Sequence, residues 1–146
     1  MAHRTRSAHL KYTVAQVFDL VADVECYPNF LPWVIAARIC RRQDETLWVD
    51  MTIGMGFLRK QFSTIAFLDR PHRIDITSHD PLFERFEQKW RFQPATEGGT
   101  NVKYEVDFRF RSGLLQRLIG SSFADRASAM MDALLLGRPR SHKRLN

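Results

Sequence analysis

The architecture of the chain can be read from VKYEVDFRFR, residues 102–111. Every second residue from Val102 to Phe110 is apolar, and the residues between them are charged. Side chains on a β-strand alternate between the two faces of a sheet, so one face here is buried and the other is wet. Such alternation is typical of antiparallel sheets. The segment therefore predicts a strand with a core on one side.

A long amphipathic helix is predicted directly after this strand. Apolar residues recur at helical spacing beyond Gly113, and Gly137 and Pro139 end the pattern. No other segment is apolar enough to cover the buried face of the sheet, so we expect the helix to lie against it. The apolar stripe consists of Leu115, Ile119, Phe123, Ala127, Met130, Met131 and Leu134.

The segments that precede residue 102 complete the sheet. Residues 46–53 and 84–92 alternate in the same way, and strands near 2–10, 34–42, 57–68 and 72–79 fit between the turn signals. A Thr-x-x-Gln capping box at Thr13 begins a short helix that runs to about Asp23, and a turn or one-turn helix follows. We predict an α+β fold with the order β-α-α-β6-α. Its seven-stranded, curved antiparallel sheet surrounds a long C-terminal helix.

Charge divides the chain into a domain and a tail. The net charge is +6, and four of these charges come from Arg138, Arg140, Lys143 and Arg144. We predict a single domain at 1–137 and a basic C-terminal tail at 138–146. Three interpretations of the tail remain open: it contacts anionic lipid, it contacts RNA, or it is a solvated terminus.

Two runs in the N-terminal part resemble a known family. Residues 12–25 read YTVAQVFDLVADVE, and residues 27–33 read YPNFLPW. Both are similar to motifs of the coenzyme Q-binding START-like family, also called polyketide cyclase/dehydrase-related. PLF and WRF within 81–92 resemble the family's hairpin, and residues 108–112 resemble its last strand. The family usually has Cys after Pro-Trp, where this chain has Val34.

This resemblance covers nearly the whole chain and has several implications. It implies a helix-grip fold of the START and Bet v 1 type, and binding of ubiquinone or a related polyisoprenoid in an apolar cavity. Mitochondrial relatives support respiration as lipid chaperones, whereas some bacterial relatives are toxins that bind the ribosome and block subunit association. Ubiquinone is expected as a bound ligand, and no other cofactor is expected.

The ligand-binding residues are expected on the inner face of the sheet, on the long helix and in the YPNFLPW loop. A curved sheet over one helix leaves a gap, and Met side chains facing that gap suit a flexible ligand. Inward polar groups need a partner, which a quinone carbonyl or a buried water supplies. The predicted residues are Tyr27, Phe30, Leu31, Pro32, Trp33, Met51, Phe86, Gln88, Trp90, Tyr104, Phe108, Phe123 and Met130.

The sequence carries no catalytic or metal-binding motif. The five histidines have no metal-ligand spacing to one another or to the cysteines, and no nucleophile is paired with a base. Arg126, beside the apolar stripe, either meets a ligand oxygen or reaches into solvent. The chain is therefore predicted not to be an enzyme, with no catalytic and no metal-binding residues. An aromatase/cyclase-type enzyme is the last alternative.

Partners and location follow from the same features. We expect a hydrophobic small molecule as ligand, transient contact with a membrane surface through the YPNFLPW loop and the tail, and no DNA binding. Ribosome contact is the alternative. Cys26 and Cys40 are expected as free thiols, no secretory signal is expected, and no apolar run approaches the roughly 20 residues that span a bilayer. We expect a cytoplasmic protein that is peripheral at the inner membrane.

Overall fold

The computed structural model describes residues 2–29 and 31–137, so the predicted tail at 138–146 lies outside the described residues. The described strands and helices follow the predicted order. The strands are β1 (Ala2–Leu10), β2 (Val34–Gln43), β3 (Thr46–Met55), β4 (Leu58–Asp69), β5 (Arg73–Thr77), β6 (Phe83–Pro94) and β7 (Thr100–Phe110). The helices are α1 (Val14–Ala22), a 3-10 helix (Val24–Asn29) and α2 (Gly113–Gly137).

The strands form one antiparallel sheet in the order β1-β7-β6-β5-β4-β3-β2. Strands β2 to β7 are a meander, and β1 pairs with β7 at the far edge. The sheet curves around α2, which confirms the predicted α+β helix-grip fold. The strand bounds differ from the predicted ones by a few residues, because the alternation of apolar and polar residues becomes indistinct near the ends of a strand.

Local sequence signals begin and end several elements. The Thr13 hydroxyl accepts from the Gln16 backbone N–H, and the Gln16 side chain accepts from the Thr13 backbone N–H, so the predicted capping box is present. Gly99 lies in the β6–β7 turn with a φ of +77°. A Cβ there would lie 2.1 Å from the Leu10 carbonyl oxygen, so the turn requires glycine.

The main core lies between β6, β7 and the two α-helices. The predicted alternation holds, because Trp90, Phe92, Tyr104 and Phe108 are fully buried on the inner face. Phe123 of α2 packs edge-on against the Phe108 ring at a centroid distance of 4.7 Å. The aromatic rings are thus concentrated where the helix touches the sheet most closely.

Candidate ligand cavity

A cavity lies between α2 and the strands β3 and β4. The cavity volume is about 60 Å³, and all the empty space between its lining atoms, including space open to solvent, is about 680 Å³. Apolar side chains dominate the lining. Its members are Val24, Tyr27, Trp33, Val34, Val49, Met51, Ile53, Met55, Phe62, Thr64, Ala66, Ile76, Phe86, Gln88, Phe123, Arg126, Ala127 and Met130.

The cavity exists because α2 does not lie over the centre of the sheet. The helix packs most closely against β7 and β1. Two ion pairs tie it to the β1 edge: Arg4 donates to Asp125 at 3.4 Å, and Arg6 donates to Asp132 at 2.6 Å. Strand β4 is three strands away from β7 in the sheet. The gap therefore opens on the flank of α2 that faces β3 and β4.

The 3-10 helix and the loop after it close one side of the cavity. The buried Tyr27 hydroxyl donates to the Val21 carbonyl, which fixes this loop to the end of α1. Gly54 of β3 donates its backbone N–H to the Trp33 carbonyl at 2.9 Å. Trp33 is partly exposed and lines the cavity. The loop is thus held at both ends and presents one indole to the cavity.

Three lining residues carry polar side chains that matter for a ligand. Thr64 is satisfied, because its hydroxyl donates to the Val49 carbonyl at 3.2 Å. Gln88 is only 7% exposed and carries an amide that can donate and accept hydrogen bonds. Arg126 is partly buried and has no ion pair with another described residue. The cavity therefore offers two polar side chains with N–H donors within an apolar lining.

The structure brings most of the predicted binding residues together and places others elsewhere. Seven of the predicted residues line the cavity, and their contact with a ligand stays a prediction. They are Tyr27, Trp33, Met51, Phe86, Gln88, Phe123 and Met130. Phe30 lies outside the described residues, Pro32 is exposed, and Leu31 is fully buried away from the lining.

Trp90, Tyr104 and Phe108 are fully buried in the core and are not among the residues that line the cavity, so their contact with a ligand also stays a prediction. They lie on β6 and β7, where α1 and α2 cover the sheet directly. The rings of Trp90 and Tyr104 are cross-strand neighbours with centroids 4.4 Å apart. Burial, followed by the nearby Tyr27, raises the pKa of the Tyr104 hydroxyl. These three side chains point to the inner face of the sheet, as the alternation predicted, but a side chain on this face does not necessarily line the cavity.

Sequence reasoning missed several lining residues. Val49 and Ile53 share the predicted inner face of β3 with Met51, so the alternation alone would have found them. Phe62, Thr64 and Ala66 alternate on β4 in the same way, but Thr64 and Ala66 carry no strong hydrophobic signal. Met55 lies at the end of β3, beyond the predicted bound.

The remaining chemistry-bearing residues do not form a second site. Among residues 2–29 and 31–137, no group of His, Cys, Asp and Glu could hold a metal ion. Cys26 and Cys40 are free thiols. The Cys40 thiol donates to Asp50 at 3.0 Å, and this hydrogen bond, more than partial burial, raises the pKa of the thiol. Within the described part of the chain, no helix is long and apolar enough to cross a membrane.

Known proteins share both the sequence and the fold. The ribosome association toxin RatA of Pseudomonas aeruginosa is 29% identical over 131 residues, which cover 90% of this chain and 91% of the toxin. The mitochondrial coenzyme Q-binding protein coq10 of Schizosaccharomyces pombe is 28% identical over 124 residues, covering 79% of this chain and 75% of that protein. The Zhui aromatase/cyclase from Streptomyces sp. R1128 shares the fold, with a TM-score of 0.70, 16% identity, and coverage of 90% of this chain and 93% of that structure.

The family model described as polyketide cyclase / dehydrase and lipid transport matches residues 10–135. This finding corrects the prediction that the chain is not an enzyme. The prediction is wrong because the family includes cyclases and dehydrases, and an aromatase/cyclase has the same fold. Lack of a catalytic motif therefore does not separate this chain from enzymes. The resemblance noted in the sequence is confirmed, and the chain belongs to the polyketide cyclase/dehydrase and lipid transport family.

Proposed function

We propose that this protein binds ubiquinone or a related polyisoprenoid in the cavity between α2 and the β3–β4 strands and carries it as a lipid chaperone for respiration. One observation carries the proposal: an apolar cavity contains Gln88, which is nine-tenths buried and whose amide can donate to a ligand oxygen. A hydrogen bond between neutral groups contributes about 0.5–1.5 kcal/mol. A quinone carbonyl would accept from this amide.

The cavity must widen to hold such a ligand. Its volume of about 60 Å³ is smaller than the roughly 150 Å³ of an engineered cavity that binds benzene. Three methionines, Met51, Met55 and Met130, line it. Unbranched Met side chains change rotamer at low cost and fit variable shapes. We expect the ring to enter beside Gln88 and the isoprenoid tail to follow the open part of the cavity.

Organic extraction of the purified protein, followed by mass spectrometry, tests the proposal. We expect a quinone or polyisoprenoid in the extract, and quenching of Trp33 fluorescence when quinone is added to delipidated protein. Ala127→Phe places a ring in the cavity and should abolish both signals. Its melting temperature serves to verify folding. Arg42→Met, at an exposed position of β2 outside the cavity lining, should leave both signals unchanged. An empty extract together with unquenched Trp33 would contradict the proposal.

Transient membrane contact is part of this proposal, and the exposed apolar side chains support it. Phe57, in the β3–β4 turn, is fully exposed, and Leu114 and Leu118 of α2 are 58% and 69% exposed. The antiparallel order places the β3–β4 turn and the start of α2 at the same end of the sheet. Arg59 and Arg117 lie at this end without an ion pair to another described residue. Such a surface suits an anionic bilayer, and it implies a cytoplasmic protein that visits the inner membrane.

Ribosome binding is the second candidate function, and the similarity to RatA over 90% of the chain favours it. On the outer face of the sheet two arginines are already paired with acids, Arg85 with Asp107 at 3.1 Å and Arg91 with Asp75 at 2.8 Å. Sedimentation with ribosomal subunits at several salt concentrations tests this candidate. Binding that weakens steeply with salt supports it, and absence of binding at low salt contradicts it.

A further inference from the structure

Arg126 is the charged residue of the cavity lining, and it has no counter-ion among the described residues. Its neighbours along the α2 face that lines the cavity are Phe123, Ala127 and Met130, so the stem of Arg126 lies beside apolar side chains. A guanidinium stays charged at any physiological pH. A charge at the edge of an apolar space therefore gains from any oxyanion that comes within reach.

The acidic residues of α2 do not neutralise Arg126. Asp125 and Asp132 both pair with arginines of β1, on the other flank of the helix. The helical positions three and four residues away from Arg126 hold no acid, and the cavity lining contains neither Asp nor Glu. The positive charge at the cavity is thus uncompensated by the described part of the chain.

We infer that the cavity, besides neutral quinones, takes lipids with an anionic head group, a carboxylate being the simplest. Among lipids of equal length it prefers the anionic one, and Arg126 is the residue that makes this selection. The inference rests on the proposed lipid-binding function and names the head-group chemistry at that site. The acyl or prenyl body lies among the methionines and Phe62, and the carboxylate accepts from the Arg126 guanidinium. The Gln88 amide is the second donor in the same lining. Hydrogen bonds to charged groups are stronger than neutral ones, so the acid should bind about tenfold tighter or better than a neutral lipid of equal length.

Calorimetric titration of the delipidated full chain with decanoate and with 1-decanol at pH 7.5 tests the inference. The two probes have the same chain length and differ in the charge of the head. We expect decanoate to bind about tenfold tighter or better, with a preference that decreases as salt is added. Arg126→Met keeps an apolar stem and should reduce the ratio to about one by weakening decanoate alone. Arg126→Lys should retain part of the preference, and Arg42→Met, at an exposed position of β2 outside the cavity lining, should retain all of it.

The outcomes separate this inference from the proposed function. Equal affinity of the native chain for both probes would overturn the selection of anionic lipids and leave the lipid-carrier proposal standing. A preference that survives Arg126→Met would overturn the role of Arg126. Failure of both probes and of quinone to bind would overturn the proposed function itself. Melting temperatures of the variants identify any loss of binding that comes from unfolding.

Discussion

Replacing Tyr104 with Phe should stabilise the protein, although Tyr104 is completely buried in the core. Its hydroxyl has no hydrogen-bond partner among the described residues, and no solvent reaches it. An unsatisfied buried hydroxyl costs about 1–3 kcal/mol. The void left by one oxygen atom offsets part of the gain. We expect a net increase of about 1 kcal/mol in the free energy of unfolding, which corresponds to a rise of about 3 °C in melting temperature for a chain of this size.

Tyr27→Phe is the matched control, because the Tyr27 hydroxyl is also buried but donates to the Val21 carbonyl. This variant loses a hydrogen bond and should be destabilised by about 1 kcal/mol. Urea titration and thermal unfolding of both variants measure the two changes. The opposite signs expected for two Tyr→Phe substitutions exclude a general effect of removing a hydroxyl from the core.

The same pair of variants tests the boundary between core and cavity. Tyr104 does not line the cavity, so Tyr104→Phe should leave quenching of Trp33 by quinone unchanged. A loss of about 1 kcal/mol or more in stability would show that the hydroxyl has a partner, and would refute the reasoning about its burial. A loss of quinone binding in a stable Tyr104→Phe variant would show that the ligand reaches β7.

Three further predictions concern the surface and the first helix. Phe57→Ser should weaken sedimentation with anionic vesicles several-fold, because an exposed ring is lost from the β3–β4 turn. Phe67→Ser, near the other end of β4, should leave sedimentation unchanged. Equal effects of the two substitutions would contradict membrane contact through the turn. Asp50→Ala should speed alkylation of Cys40 near pH 8 in a chain whose other cysteine is replaced by serine. Removing the carboxylate that accepts from the thiol lowers the thiol pKa and increases the thiolate fraction. An unchanged alkylation rate would refute the role of that carboxylate. Thr13→Ala removes the N-cap of α1 and should lower the free energy of unfolding, measured by urea titration, by about 1 kcal/mol. An unchanged urea midpoint of unfolding would show that tertiary packing alone stabilises this end of the helix.

Local patterns in the sequence were sufficient to predict the elements and their order. The alternation in residues 102–111 reports which face of β7 is buried, and the capping box at Thr13 satisfies backbone groups within one turn of helix. Both signals act between residues that are close along the chain, so a single sequence contains them. The long apolar stripe after Gly113 indicated that one helix must cover the sheet, and the structure confirms this.

The alternation in the sequence predicted which side chains point to the inner face of the sheet, but not which of these line the cavity. Trp90 and Gln88 lie two residues apart on the inner face of β6, and the alternation treats them alike. In the structure Trp90 packs in the core, while Gln88 lines the cavity. Their difference depends on which part of β6 the helices cover, and no local pattern contains that information.

The sequence alone was sufficient to predict the curved antiparallel sheet, the helix that it surrounds and an inner face rich in aromatic residues. All three features follow from the hydrophobic periodicity and from the need to bury apolar surface. The existence and position of the cavity came from the tertiary structure. Helix α2 is displaced toward β7 and β1, against which it packs most closely, and Arg4 and Arg6 of β1 form exposed ion pairs with it there. That displacement is a balance of contacts between distant parts of the chain. It leaves Arg126 beside an apolar space with no described counter-ion.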